Sequence, residues 1–586
     1  MNFNKLNIFA CKAKIFLFNR VSFFSSYSNR ILNCGDINLK TCDQKVVLYG
    51  WLHNSRFKGN ILLLRDSSGI VQLIPNNDLI CKSIPSLESV IKVEGLVKKR
   101  PENQINEKIK TGLVEVLIDK LEVLNEADKN LPFFIKDYHK TSEMHRLKHR
   151  YIDLRREDIQ NILRLRSSLE FSFCEFLIKI NNFVNIGTPS LFKSSPGGAR
   201  EFVVPTKDPG MCYALIQSPQ QHKQLLMVGG VDRYMQLARC YRNEMSRPDR
   251  QPEFTQLDLE MSFIEKHHLK ALIEDMLEYS LKNLIPDFVK PFPAYTYEQA
   301  IRLYGTDRPD FRFEMKIENF SKSGTPLIGI RITTDEYNCI DFKNIQELLQ
   351  QSHPHKKIEI LNCLKNSIDC LDSENELKQN YVLFLKNTSD IEDYQAIGKV
   401  RNIVASQLDS KGKSVYNKKF SFAWIDSFPL FEINNGLLQS VHHQFTSPIK
   451  EHFELLYTCP EKVIGEQLDL ICNGIEIGGG SIRIHNADMQ EYIIKDVLKE
   501  DISSFIHLIS ALRSGAPPHG GFALGIDRLI SILTGCSTIR DVIAFPKTSD
   551  GKDLMSDSPS ELSADQCEYY NLNFIKKPIK LESCDN

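Results

Sequence analysis

The stretch RCYRNEMSRPDRQPEFTQLDLE, residues 239–260, sets an arginine-rich loop, broken by Pro248 and Pro252, between two alternating segments. YMQLARCYR (234–242) and EFTQLDLEMSF (253–263) both alternate as half-buried strands do, which predicts an antiparallel pair. Arg242 and Glu244 close the first strand, and Arg247 and Arg250 lie in the loop. An arginine at a strand end facing further arginines suits a polyphosphate, because planar guanidinium forks match phosphate oxygens. A surface network of salt bridges would use the same residue types.

Two later segments favour the phosphate reading. GIEIGGGSIRI (474–484) has three consecutive glycines inside a strand-like run, a sign that a ligand or another backbone approaches closely. HGGFALGIDRLISILTG (519–535) places glycines before Asp527 and Arg528 at the mouth of an apolar helix. Arginines from two separate segments and a glycine-floored strand make a nucleotide site the leading reading, and with neither a Walker lysine loop nor a GxGxxG fingerprint present the usual phosphate-binding folds are absent.

Outward from this centre, the chain divides. Its 586 residues exceed what a single core supports, so several domains are expected. A charged fraction of 25% is ordinary for a globular chain, and no apolar run is long enough to cross a bilayer, so no membrane partner is expected. The formal net charge of −1 means that any nucleic-acid contact must come from local patches. The fifteen cysteines include no CxxC pair and read as reduced thiols rather than as a zinc or disulfide framework. Residues 1–35 carry Lys5, Lys12, Lys14, Arg20 and Arg30 with no acid, which reads as an organellar transit peptide or as a basic leader with no address. Segments 46–56, 60–75, 89–101 and 113–125 are β-rich and predict a small barrel of the OB type over 36–128. Should that barrel bind RNA, Arg56, Lys58 and Arg65 supply phosphate or base contacts and Gln72 a base edge; ordinary solvated charges are the alternative. Residues 129–153 are polar and basic, as a hinge would be. In 159–180 Ile162, Leu165, Leu169, Phe173, Phe176 and Ile180 form one helical stripe, for the core or for a dimer seam.

These residues carry a resemblance. Arg242-x-Glu244, the GGGSIR strand and the GIDR segment resemble motifs 2 and 3 of class II aminoacyl-tRNA synthetases, with Pro189 at the motif 1 position. QSPQQHKQLLM (217–227), VHHQFTSP (441–448), NGIEIGGGSIRIHN (473–486) and RDVIAFPKT (540–548) bring it closer, to the bacterial and organellar aspartyl-tRNA synthetases, over about residues 44–560. The resemblance implies an α+β multidomain fold: an OB-type barrel that binds the anticodon, then an antiparallel class II sheet flanked by helices in two parts, 154–290 and 421–560. An α+β insertion, 291–420, separates them, and a tail, 561–586, follows. It implies ATP and Mg²⁺, L-aspartate and tRNA-Asp as partners, a homodimer, and a mitochondrial matrix location. It further implies that Arg242 pairs the α-phosphate and Arg528 the γ-phosphate, both as catalytic groups. Glu244, Gln251, Gly525 and Asp527 complete the ATP site, and Asp469 and Glu476 hold Mg²⁺. Ser218, Gln220 and Asp258 meet the aspartate ammonium, Lys223 and Arg483 its side-chain carboxylate, Arg242 also faces it, and His442, rather than His443, closes the site.

Three departures stand out. Pro196-Gly197-Gly198-Ala199-Arg200 replaces the family's P-E-G-A-R, removing an acid expected near the ammonium. Ile61 stands where a stacking aromatic is expected, with Phe57 nearby as a substitute. YGTDRPDFRF (304–313) matches the border of the insertion, but the stretches that follow, such as HPHKK and SENELKQN, are weakly patterned, so a diverged accessory domain is expected. An asparaginyl or lysyl ligase shares the ATP residues but not QQHK with GGGSIR. A non-catalytic RNA-binding relative would usually lack the ATP arginines.

Overall fold

A computed structural model describes residues 29–30, 32–77, 84–194, 198–244, 247–322, 325–351, 353, 359–362, 369–370, 380–386, 391–417 and 419–574. Most of the leader, Gly197 and the stretches 354–357 and 373–379 lie outside the described residues. The chain divides into two compact units, Met1–Ser168 with Met245–Gln251 and Cys536–Glu561, and Leu169–Glu244 with Pro252–Gly535 and Leu562–Asn586.

In the first unit, strands β1 (Lys45–Arg56), β2 (Ile61–Asp66), β3 (Gly69–Pro75), β4 (Val90–Lys99) and β5 (Val114–Asn125) close a barrel in the order β1-β2-β3-β5-β4. Alternate residues such as Leu48, Leu64, Val71, Val93 and Val116 fill its interior, as a period of two requires. The expected RNA residues fare differently. Arg65 is buried, its fork closed on Glu88 at 2.9 and 2.6 Å, which corrects the expectation that it reaches RNA: a guanidinium committed to a buried carboxylate has no access to a phosphate. Gln72 donates to Glu115 at 2.9 Å. Arg56 is exposed, and Phe57 beside it is 73% exposed in a left-handed turn (φ 51°) that turns the ring outward.

Glu88 is the electrostatic centre of this unit. Burial opposes its ionisation, yet His53, Arg65 and Arg155 outweigh that cost and hold its carboxyl at about 2, below the ordinary 4.5. A depressed carboxyl contributes stability that is complete above its unfolded pKa and is lost as pH falls through the folded one, here about 3 kcal/mol. Acid unfolding of this unit should therefore set in as pH falls from 4.5 towards about 2. Trp51 fluorescence in a Trp424→Phe background reads it, since these are the two tryptophans. Glu88→Gln should remove that pH dependence; an unchanged acid transition would dismiss the role of Glu88.

The basic segment expected as a hinge is ordered: helices Glu143–Lys148 and Arg150–Asp153 follow a 3₁₀ turn. Arg150 is buried, bonded to Asp153 at 2.6 Å and to the carbonyls of Ile543 and Ala544 at 2.9 Å each.

In the second unit eight strands form one sheet: β6 (Val184–Asn185), β7 (Arg233–Tyr241), β8 (Glu253–Ser262), β9 (Ala294–Thr296), β10 (Phe422–Asp426), β11 (Gln467–Cys472), β12 (Ile475–Ile482) and β13 (His519–Gly525). Their order is β9-β10-β11-β12-β13-β8-β7-β6, antiparallel from β10 to β7 and parallel at both edges. The expected β7–β8 pair is present, with Gln236 opposite Asp258 and Tyr234 opposite Glu260. Helix α1 (Glu157–Glu175) runs into a π turn, Phe176–Ile180. Its stripe is buried at Leu169, Phe173 and Phe176, but Ile180 is 55% exposed, so the stripe ends a turn earlier than its spacing implies. The insertion is a five-stranded sheet with helices Phe342–Gln350 and Ile391–Ser410, cored by Ile328, Ile330, Ile345, Val400 and Val404.

Candidate active site

Helix α2 (Gln220–Val228) buries a face that is mostly polar, Gln220, Lys223 and Gln224 with Met227 after them, spaced three and four apart. That face covers β8, whose period of two puts Asp258 and Glu260 on one side and Leu257, Leu259 and Met261 on the other. Lys223 Nζ lies 3.2 Å from Asp258 Oδ1 and 3.2 Å from Glu260 Oε2. Arg483, one residue beyond β12, closes on Glu260 at 2.9 Å through Nε and donates to Ser481 Oγ at 2.6 Å. Two cations and two carboxylates are thus buried together without net charge, the condition under which buried ions are tolerable. Glu260 was not among the residues expected here, although its place two beyond Asp258 on an alternating strand put it on the same face.

The quartet leaves an acceptor unused. Asp258 Oδ2 is buried without a hydrogen bond among the described residues. Burial, only partly offset by Lys223, raises the Asp258 carboxyl above its ordinary range. For Glu260, Arg483 and Lys223 overcome the cost of burial and hold it below. An ammonium reaching Oδ2 would satisfy that acceptor and favour the charged form.

Gly521 makes room for this arrangement. A Cβ there would sit 1.8 Å from Glu260 Oε2 and 2.4 Å from Leu259 O. Gly521→Ala should displace the carboxylate from both cations and cost about 1–3 kcal/mol, read as a lowered unfolding temperature. Unchanged stability would show that the carboxylate can move freely. The three glycines of β12 serve the same end: Cβ atoms on Gly478, Gly479 and Gly480 would meet the Phe522 ring at 2.6 Å, Asp469 Oδ1 at 2.8 Å and Gly521 O at 2.3 Å.

A cavity of about 690 Å³ adjoins, lined by Ser218, Gln220, Arg242, Glu244, His442 and His443 among others. The Arg242 guanidinium lies 5.1 Å over the Phe254 ring, and its buried Nε makes no hydrogen bond among the described residues. The two histidines diverge. His442 Nε2 is 3.2 Å from Asp469 Oδ2, which raises its pKa against the effect of burial. Burial, with Arg483, Lys223 and Arg242 nearby, pushes His443 down to about 3, so it is neutral at physiological pH. The aspartate contact expected of His442 thus falls on the histidine tied to Asp469, while His443 lies in the field of the three cations.

At the other end of the same sheet face, Arg528 Nη1 donates to Glu476 O at 2.9 Å and lies 3.8 Å from Glu476 Oε2. Burial and the charge of Asp469 raise the Glu476 carboxyl. No group of three or more His, Cys, Asp or Glu among the described residues is arranged to hold a metal. Asp469 and Glu476 nonetheless fit Mg²⁺, which is commonly held by one or two carboxylates with substrate phosphates, and their mutual repulsion is what such a cation relieves. Asp527, next to Arg528, is buried and accepts from Thr255 N at 2.9 Å, and Gly525 caps helix α3 (Ile526–Thr534). Gln251 belongs to the other unit, where it bonds the backbone of Lys547 through both ends of its amide.

Residues 142–549 match the model of the class II tRNA synthetases (D, K and N). The chain belongs to that family. Among its synthetase relatives, the mitochondrial aspartate–tRNA ligase of Mus musculus is 42% identical, over 95% of this chain and 91% of that protein. The aspartate–tRNA(Asp/Asn) ligase of Borreliella burgdorferi (strain ZS7) is 37% identical, over 93% and 99%. A crystal structure of a putative aspartyl-tRNA synthetase from Leishmania major Friedlin superposes with a TM-score of 0.57 at 22% identity, covering 89% of this chain and 95% of that one. A synthetase from Pyrococcus horikoshii, asparaginyl and complexed with asparaginyl-adenylate, has a TM-score of 0.58 at 20% identity, covering 88% and 98%. At such identities the two structures establish the shared class II synthetase fold.

Proposed function

We propose that the chain is an aspartate–tRNA ligase, which joins L-aspartate to ATP as aspartyl-adenylate with release of pyrophosphate and passes the aspartyl group to the 3′ end of tRNA-Asp. The carrying observation is the buried quartet beside the cavity: Lys223 and Arg483 are the cations a substrate carboxylate needs, and Asp258 Oδ2 is the acceptor an ammonium needs. Asparagine would bring a neutral amide to those cations in place of a carboxylate and forgo the charge-assisted bonds. The identity with mitochondrial aspartate–tRNA ligases supports the same reading.

In this reading Ser218, Gln220 and Asp258 take the ammonium, Lys223 and Arg483 the side-chain carboxylate, and His442 closes the site. Arg242 holds the α-phosphate, Glu244 the adenosine, and Arg528 the γ-phosphate. Asp469 and Glu476 would hold Mg²⁺, which supplies charge neutralisation on the phosphates. The substrate α-carboxylate attacks the α-phosphorus, and the chain contributes positioning and stabilisation of phosphoryl charge rather than proton transfer. Exposed Arg56 and Phe57 on the barrel suit the anticodon. The exposed apolar Ile178, Ile180 and Val184 beside an edge strand suit a second copy in a homodimer. The basic leader and the mitochondrial relatives support the mitochondrial matrix as its place.

The test is ATP–pyrophosphate exchange by the purified chain lacking residues 1–28, with Mg²⁺ and aspartate, asparagine or lysine offered separately. Exchange with aspartate alone supports the ligase. Exchange with another of these amino acids reassigns the pocket, and none at all removes the activity.

A further inference from the structure

The border of the insertion reaches the nucleotide end of the site. Helix Tyr297–Tyr304 stops at Gly305, whose φ of 68° lies in the left-handed region. A Cβ on Gly305 would meet Tyr394 O at 2.0 Å and Gly398 Cα at 2.7 Å, so the turn sits directly on the backbone of helix Ile391–Ser410, from the far end of the insertion. From the same helix fully buried Arg401 donates to the carbonyls of Asp310 and Phe313, at 2.8 and 3.2 Å. The segment between these anchors is thereby held on both sides.

It carries Arg308. The Arg308 Nη2 lies 3.1 Å from Glu476 Oε2, and its Nε lies 3.4 Å from Asp307 Oδ2. Arg528 approaches the same carboxylate from helix α3, at 3.8 Å. Glu476 therefore stands between two guanidinium groups, one of them delivered by the edge of the insertion. Arg308 keeps 42% of its side chain exposed and has five N–H donors, more than these two contacts use.

We propose that Arg308 is a phosphate-binding residue of the nucleotide site, holding Glu476 in the free enzyme and passing to the ATP polyphosphate when Mg²⁺ takes that carboxylate. The inference rests on the ATP reading given above. A divalent cation held by Glu476 would weaken that carboxylate's hold on the guanidinium, and the magnesium nucleotide, still anionic, would offer Arg308 a bidentate partner through rotation of its side chain. Because the backbone is pinned by Gly305 and Arg401, that rotation needs no movement of the insertion. The insertion thus sets where one of the nucleotide's cations stands.

Calorimetric titration of α,β-methylene-ATP into the full chain tests this, with and without Mg²⁺, for wild type, Arg308→Ala, Arg308→Lys and Arg242→Ala. Arg308→Ala should weaken binding with Mg²⁺ about tenfold, the worth of one charge-assisted contact, while aspartate affinity and thermal midpoint stay as in wild type. Arg308→Lys should recover part of the loss, and the difference from wild type should shrink without Mg²⁺. Equal affinity of wild type and Arg308→Ala with Mg²⁺, while Arg242→Ala is impaired, would overturn the role of Arg308 and leave the ATP reading standing. A wild-type chain that binds no nucleotide would overturn both.

Discussion

Arg242→Ala is expected to lower aspartate-dependent ATP–pyrophosphate exchange by about a thousandfold, the upper end of what one charge-stabilising donor contributes to a transition state. Its thermal midpoint should not fall. The guanidinium rests on the Phe254 ring with its buried Nε unbonded, so the folded chain draws little from it. A cation held in place with unspent donors is what a developing phosphoryl charge requires, since no reorganisation is then needed during reaction. Arg242→Lys restores the charge without the fork and should recover only part of the rate. Exchange within about tenfold of wild type in the alanine variant would remove Arg242 from the phosphate.

The second large effect is expected at Lys223. It is 1% exposed and stands 3.2 Å from both Asp258 and Glu260, so Lys223→Ala leaves two buried carboxylates to Arg483. Breaking such a pair costs about 3–5 kcal/mol. The pH dependence gives the cause away. A carboxyl whose folded pKa is raised contributes stability that is complete below its unfolded pKa and is lost as pH rises through the folded one. Asp258 already lies on the raised side through burial, and losing Lys223 moves it further, so the variant should gain stability towards mildly acidic pH relative to wild type. Selectivity for aspartate over asparagine should collapse while nucleotide affinity is retained, as exchange and calorimetry would read. Retained selectivity would assign the side-chain carboxylate to Arg483 alone. Adding Glu260→Gln to Lys223→Ala should restore stability without restoring selectivity, separating the cost of an unpaired acid from the loss of substrate recognition.

Alternation and local spacing determined much of this protein from sequence alone. The period of two in 234–242 and 253–263 laid down the central antiparallel pair, and the short β-rich runs laid down the barrel. Three glycines in a strand announced close approach, because a missing Cβ has few other uses there. Linked motifs over most of the chain were enough for the class II family. What the tertiary structure decided is which charges face each other. Arg65 and Arg56 look alike in sequence, but buried Glu88 claims the first. His442 and His443 are neighbours in the chain and stand in opposite fields, one beside Asp469 and one among cations. Arg483 finds Glu260 across 223 residues, and Arg308 finds Glu476 only because a helix from the far end of the insertion seats its turn. Periodicity assigns a side chain to a face, since that depends on the local backbone. Its partner, its burial and hence its charge depend on which distant strand or helix packs there.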